Sequence, residues 1–253
     1  WKRTYGGAEG VSASAITPTP DGNFIVAGGS GHLMKITPLG DTLWTKAYGG
    51  IARAIAPTPD GNFIIAGNTS FFSAGSYDVF LLKITPQGDT LWTKAYGVTD
   101  DGGSAEAITP TPDGNFIVAG WKYSHGDKDA DVYLLKIKPN GDTLWTRTFG
   151  GSEWGRASAI TSTPDGNFIV AGETYSLGRG KDEVYLLKIT EYGDTLWTKT
   201  YGNEYIDVSA QAITSTPDGN FIVAGTEILK ITSYGDTLWT KTYGGEYYDQ
   251  AYA

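Results

Sequence analysis

Six aromatic side chains, Trp121, Tyr123, Trp154, Tyr175, Tyr205 and Tyr247, stand outside the repeated segments of the chain and close to carboxylates. Phe71, Phe72, Tyr77 and Tyr248 share that setting. An aromatic ring at a surface offers a flat apolar face, and Tyr and Trp add a polar edge, so rings beside carboxylates suit stacking on a sugar or anchoring a protein partner. The six are therefore the candidate ligand-binding residues, and about half of the ten rings are expected to pack down as small loop cores instead.

Other groups could do different chemistry. Asp127, Asp129 and Asp131 alternate like the first ligands of a calcium loop, and calcium takes several hard oxygens. Val132 stands where such a loop needs Gly, and no Glu follows at its twelfth position. Hairpin acids are the expectation, with calcium as the weak metal candidate and no other cofactor. Glu106 is the one acid among the residues flanked by the paired alanines of each repeat: Ser14, Arg53, Glu106, Ser158, Gln211 and Tyr252. Glycosidases work with two carboxylates set by geometry, and Glu106 has no recurrent partner at that position. Arg53, in the preceding repeat, could pair with it. His32 and His125 are the only histidines, and no nucleophile-elbow motif accompanies them. Asn68-Thr69-Ser70 has the form of a glycosylation sequon. No catalytic residue is assigned.

The elements that must position these groups are repeats. Pro-Asp-Gly-Asn recurs with its Asp at Asp21, Asp60, Asp113, Asp165 and Asp218. Gly-Asp-Thr-Leu-Trp-Thr follows each copy, with Trp at Trp44, Trp92, Trp145, Trp197 and Trp239. Each repeat reads as four short strands rich in β-branched and aromatic residues: Ala-x-Ala-Ile (A), Asn-Phe-Ile-Val-Ala (B), Val-Tyr-Leu-Leu-Lys-Ile (C) and Thr-Leu-Trp-Thr-Lys-Thr-Tyr (D). Pro presets the first turn position of the A–B link, and Gly accepts a left-handed backbone in both the A–B and C–D links. The result is an antiparallel meander, with no helical period anywhere.

Nearly continuous apolar runs suit sheets buried on both faces. Such sheets need neighbours on both sides, and radial repetition supplies them. The fold expected is an all-β propeller, with the small strand A innermost and the Trp and Tyr of strand D at the wide outer part. As one domain over 1–253 it has full blades at 11–48, 52–96, 105–149, 157–201 and 210–243. An orphan D strand at 1–7 and an orphan A strand at 246–253 would form a split sixth blade. The chain opens at Trp1 inside a repeat, as a processed or partial chain would. The five framework tryptophans recur with the blade, so they are expected between blades rather than at a ligand.

Spacings between successive turn aspartates are 39, 53, 52 and 53 residues, and nearly all the variation falls in the B–C and D–A connections. The frame holds ten Asp and ten Lys or Arg, which cancel; the remaining 18 acids and 9 bases carry the whole net charge of −9. In an up-and-down blade those two connections emerge at the same end. One end should therefore be variable, acidic and aromatic, the other uniform, and a rigid scaffold with functional loops is the common arrangement.

An acidic chain of this kind lacks the basic face that nucleic acid requires. It has no cysteine, hence no disulfide or thiolate metal site. One Met suits a chain exposed to heat or oxidation. No apolar run approaches the ~18 residues of a membrane span.

The pattern Asp-Val-Tyr-Leu-Leu-Lys-Ile-x-x-x-Gly-Asp-Thr-Leu-Trp-Thr, then Ala-Ile-x-x-x-x-Asp-Gly-Asn-Phe-Ile-Val-Ala-Gly, covers essentially the whole chain. It resembles the SBBP-like β-propeller repeats of bacterial and archaeal secreted and surface proteins. The resemblance implies an extracellular or cell-surface location and a non-enzymatic binding or structural role, and it carries no catalytic motif. The expected partners are a protein or a carbohydrate at the loop end, with assembly of copies through the terminal strands, or a glycoside hydrolase or lyase using Glu106, as the alternatives.

Overall fold

The computed structural model describes residues 5, 12–28, 31–71, 77–96, 102–123, 129–150, 154–175, 182–202 and 207–242. They form five four-stranded antiparallel sheets, each a meander in chain order. Blade 1 is β1 (Ala13–Pro18), β2 (Phe24–Gly28), β3 (His32–Ile36) and β4 (Thr42–Ala47). Blade 2 is β5 (Ile51–Pro57), β6 (Phe63–Thr69), β7 (Asp78–Ile84) and β8 (Thr90–Tyr96). Blade 3 is β9 (Gly103–Pro110), β10 (Phe116–Tyr123), β11 (Ala130–Ile137) and β12 (Thr143–Phe149). Blade 4 is β13 (Gly155–Ser162), β14 (Phe168–Thr174), β15 (Glu183–Ile189) and β16 (Thr195–Tyr201). Blade 5 is β17 (Ala210–Ser215), β18 (Phe221–Gly225), β19 (Ile228–Ile231) and β20 (Thr237–Lys241).

Both tight links have the expected chemistry. In the A–B link Gly22 donates to the Thr19 carbonyl at 3.0 Å and Thr19 donates to the Asn23 carbonyl at 2.8 Å. Gly22 sits at φ 78° and its C–D counterpart Gly40 at φ 82°. This is a turn closed by a glycine bulge, a common way to join strands through three residues. The same pattern recurs in all five blades.

Cores lie between blades. Ile25, Ala27 and Leu33 of blade 1 pack on Phe63, Ile65, Phe80 and Leu82 of blade 2. Equivalent clusters join blades 2 and 3, 3 and 4, and 4 and 5. Each fully buried Phe, Leu or Ile contributes roughly 1.5–3 kcal/mol by leaving water. Successive A strands contact one another, which puts them innermost. Burial on both faces holds for the middle strands, as in β6, β7 and β14. It does not hold for the D strands: β4, β8, β12 and β16 alternate between exposed and half-buried. Strand D is the outer edge, so one side of it packs on the next blade while its threonines face water.

Four of the five framework tryptophans sit where expected; the fifth, Trp239 of β20, is 37% exposed because no described blade follows blade 5. Trp44, Trp92, Trp145 and Trp197 each pack against the core shared with the following blade. Two of their indole N–H groups reach across the junction, Trp92 to the Pro139 carbonyl at 3.3 Å and Trp145 to the Glu191 carbonyl at 3.2 Å. Lysines of strand C complete the junctions. Lys83 pairs with Asp60 of its own blade at 2.6 Å and donates to the Pro139 carbonyl of the next at 3.3 Å. A buried ammonium is tolerated only with such partners.

Of the split sixth blade, 1–7 and 246–253 lie outside the described residues except Tyr5. Its phenol donates to the Gly40 carbonyl at 2.6 Å, as Tyr48 does to Gly88 at 2.5 Å one blade on. Five sheets are found among the described residues.

Candidate functional site

The A–B and C–D turns lie at one end of the blades and the variable connections at the other. At the variable end, between blades 3 and 4, an open pocket of about 230 Å³ is lined by Tyr123, Asp129, Ala130, Trp154 and Arg156. Tyr123 closes β10, Asp129 precedes and Ala130 opens β11, and Trp154 and Arg156 flank the first residue of β13.

Arg156 organises this pocket. Its guanidinium lies 4.6 Å from the Trp121 ring centre and 5.6 Å from that of Trp154. Ring quadrupoles attract a cation held over their faces, by about 0.5–2 kcal/mol per pair. Trp121 meets Tyr123 edge-on, with centroids 5.2 Å apart. The Trp121 indole N–H donates to Glu106 Oε1 at 3.2 Å, and Arg53 Nε lies 3.7 Å from Glu106 Oε2. A chain of contacts therefore runs from blade 2 to blade 4: Arg53, Glu106, Trp121, Arg156, Trp154. The expected pairing of Arg53 with Glu106 is present, and both carboxylate oxygens of Glu106 are engaged by it and by Trp121.

The backbone explains why these side chains meet. In every blade the residue between the two alanines of strand A is skipped in the pairing. Ala105 pairs with Gly120 and Ala107 with Ala119, leaving Glu106 out; Ala157 pairs with Gly172 and Ala159 with Ala171, leaving Ser158 out. Such a bulge bends the strand and re-aims its side chains. The glycine opposite is required by space, since a Cβ on Gly172 would stand 1.9 Å from the Arg156 carbonyl oxygen.

Arg156 Nε is buried and has no hydrogen-bond acceptor among the described residues. Its cross-strand partner is Glu173. Burial raises the Glu173 carboxyl above the usual carboxylate range, Asp182 adds to the rise, and Arg156 pulls against both. The pocket thus presents guanidinium donors, a rim carboxylate at Asp129 and two aromatic walls.

Of the six aromatic candidates, Trp121, Tyr123 and Trp154 come together here. Tyr175 is half-buried beside them, its amide donating to the Trp154 carbonyl at 3.0 Å. Tyr205 and Tyr247 lie outside the described residues, as do Phe72 and Tyr248. Phe71 and Tyr77 are exposed in blade 2, away from this pocket. Of the calcium candidates, Asp127 lies outside the described residues, Asp129 lines the pocket and Asp131 sits in β11 against Gly150. No group of three or more metal-binding side chains occurs among the described residues. Sequence reasoning missed Arg156. Its signal was available: it is a basic residue two positions from Trp154, where the other blades have Ser12, Ile51, Ser104 and Ser209.

The architecture defines a β-propeller. No protein-family model matches the chain, and no curated protein is similar to it. Among solved structures, a protein of unknown function from Bacteroides caccae superposes with TM-score 0.58 at 16% identity, over 94% of this chain and 84% of that one. The Dos1 propeller gives 0.63 at 12% identity, over 92% of this chain and 58% of that one. The RRP9 WD40 repeats give 0.61 at 15% identity, over 93% and 64%. The chain thus spans less than two thirds of the last two, and at these identities the likeness is one of fold.

Proposed function

We propose that this chain is a non-enzymatic binding module, a secreted or cell-surface propeller of the SBBP-like kind, that holds its protein or carbohydrate ligand at the variable end. One observation carries the reading: an open pocket whose described lining is made of variable residues, with Arg156 held against the rings of Trp121 and Trp154. A planar cation held against two rings at a pocket wall is a preformed donor for a ligand acceptor. The test is binding of the full chain to printed glycan and peptide arrays beside the Trp154→Ala and Arg156→Ala variants. Hits lost by both variants are expected; hits retained in full by both would remove the pocket from the function.

The split sixth blade is part of the same reading. It is supported by the Tyr5 bond to Gly40, which repeats the chemistry of the other junctions. The forward face of blade 5 is also open among the described residues: the Lys230 side chain is 22% exposed where Lys83 is 7%. Solution mass decides between closure within one chain, which gives a monomer, and assembly through the terminal strands, which gives an oligomer.

A further inference from the structure

The walls, donors and acceptors of the pocket are specific enough to select a chemical class of ligand. Its volume, about 230 Å³, is below the roughly 300 Å³ at which pockets for drug-sized ligands begin. It suits one ring-sized group. Two walls are aromatic, Tyr123 and Trp154, and the small, buried Ala130 lines the pocket with them. Across that space stand a cation, Arg156, and an exposed carboxylate, Asp129.

Each feature excludes a ligand type. A purely apolar ring would strip water from the charged Arg156 without offering it an acceptor, and burying an unpaired charge is costly. A cation would meet Arg156 at close range. An anion would gain Arg156 but face Asp129, with Glu173 paired to Arg156 across the strands. A pyranose meets all of the groups at once. Its axial C–H bonds give an apolar face for an aromatic ring, and each hydroxyl both donates and accepts. Two adjacent hydroxyls can accept from the guanidinium and donate to the carboxylate.

We propose that the pocket between blades 3 and 4 binds one neutral pyranose ring of a glycan, stacked against Trp154 and Tyr123 and hydrogen-bonded between Arg156 and Asp129. The assignment rests on the reading of the chain as a binding module. Trp121 and Glu106 are positioning residues: Glu106 fixes the indole and the indole supports Arg156 from behind.

The experiment is saturation-transfer NMR and calorimetry on the full chain. The probes are the methyl glycosides of glucose, galactose, mannose and N-acetylglucosamine, beside methyl glucuronide and the peptides recovered from the array. At least one neutral glycoside is expected to bind, with saturation concentrated on its ring C–H protons. Asp129→Asn, at an exposed site that leaves folding intact, should weaken it at least tenfold, and Trp154→Ala should abolish it. Arg156→Lys should also weaken it, since an ammonium lacks the planar fork. No neutral glycoside binding, or equal binding by Asp129→Asn and Trp154→Ala, overturns the assignment. Binding of the glucuronide alone replaces the neutral ligand with an acidic one. A peptide that binds and is lost with Trp154→Ala leaves the binding module standing and removes the pyranose.

Discussion

The phenol of Tyr96 donates a hydrogen bond to the carbonyl oxygen of Gly141 at 2.6 Å, across the junction between blades 2 and 3. The same bond joins Tyr48 to Gly88 and Tyr201 to Gly235. Burial raises these phenols, Tyr48 to about 12, with Asp89 adding to the rise, so they donate at any ordinary pH. The junction between blades 3 and 4 lacks the bond, because Phe149 stands at the corresponding end of β12. That is also the junction that carries the pocket.

Phe149→Tyr should therefore stabilise the chain. The added hydroxyl meets the Gly193 carbonyl as Tyr96 meets Gly141. A net hydrogen bond contributes about 0.5–1.5 kcal/mol. Urea denaturation should show a higher midpoint at unchanged slope. No shift, or a lower midpoint, would mean that this junction is spaced differently from the other three.

The turn aspartates predict an acid limit. Lys35 and Thr19 hydrogen-bond Asp21 and hold its carboxyl well below the usual range. At Asp60, burial opposes ionisation, and the bonds from Lys83 and Thr58 outweigh it. A depressed pKa contributes stability that is complete above the unfolded value, near 3.8, and is lost as pH falls through the folded one. Stability should hold from neutral pH down to about pH 5 and then fall steeply toward pH 2. Asp60→Asn should start lower and fall less, because one of the titrating groups is gone. Denaturation midpoints across that range check it; parallel curves would refute it.

Glu173 predicts the opposite sign. Its raised carboxyl favours the neutral form in the folded chain, chiefly through burial. That contribution is present below the unfolded value near 4.5 and is lost as pH rises through the folded one. Glu173→Gln should thus gain more stability at about pH 7 than at about pH 4. An equal change at both would mean that Arg156 compensates the charge fully.

Much of this was legible in the sequence for a physical reason. Turn glycines such as Gly22 and Gly40, and the inter-blade Trp92, are set by local backbone and packing rules that repeat five times, so each copy confirms the others. The Arg53–Glu106 pair was also legible, since both occupy the same register position in adjacent blades. Arg156 was not. Its role depends on Trp121 of the neighbouring blade, 35 residues earlier, and on a bulge that the spacing alone does not reveal. Strand D read as buried because Leu and Trp are apolar, whereas an outer edge exposes Leu43, Leu91 and Leu196 to about half their area.

Two glycines of blade 4 separate backbone strain from steric fit, and with it the origin of the pocket. Gly166 has φ +78° with nothing within 4 Å of a built Cβ. Alanine there carries only the left-handed penalty, about 1–2 kcal/mol, and should leave ligand binding unchanged. A Cβ on Gly172 would stand 1.9 Å from the Arg156 carbonyl oxygen and 2.9 Å from the Ala157 Cα, with no flexible group to yield. Gly172→Ala must push β13 away from β14 at the bulge that aims Arg156. Overpacking of this kind costs about 1–3 kcal/mol, and the displacement moves the guanidinium off the Trp121 and Trp154 rings. Gly172→Ala should lose affinity at least tenfold under conditions where it remains folded, while Gly166→Ala, at similar stability, retains it. Equal affinities in the two variants would show that the bulge does not position Arg156.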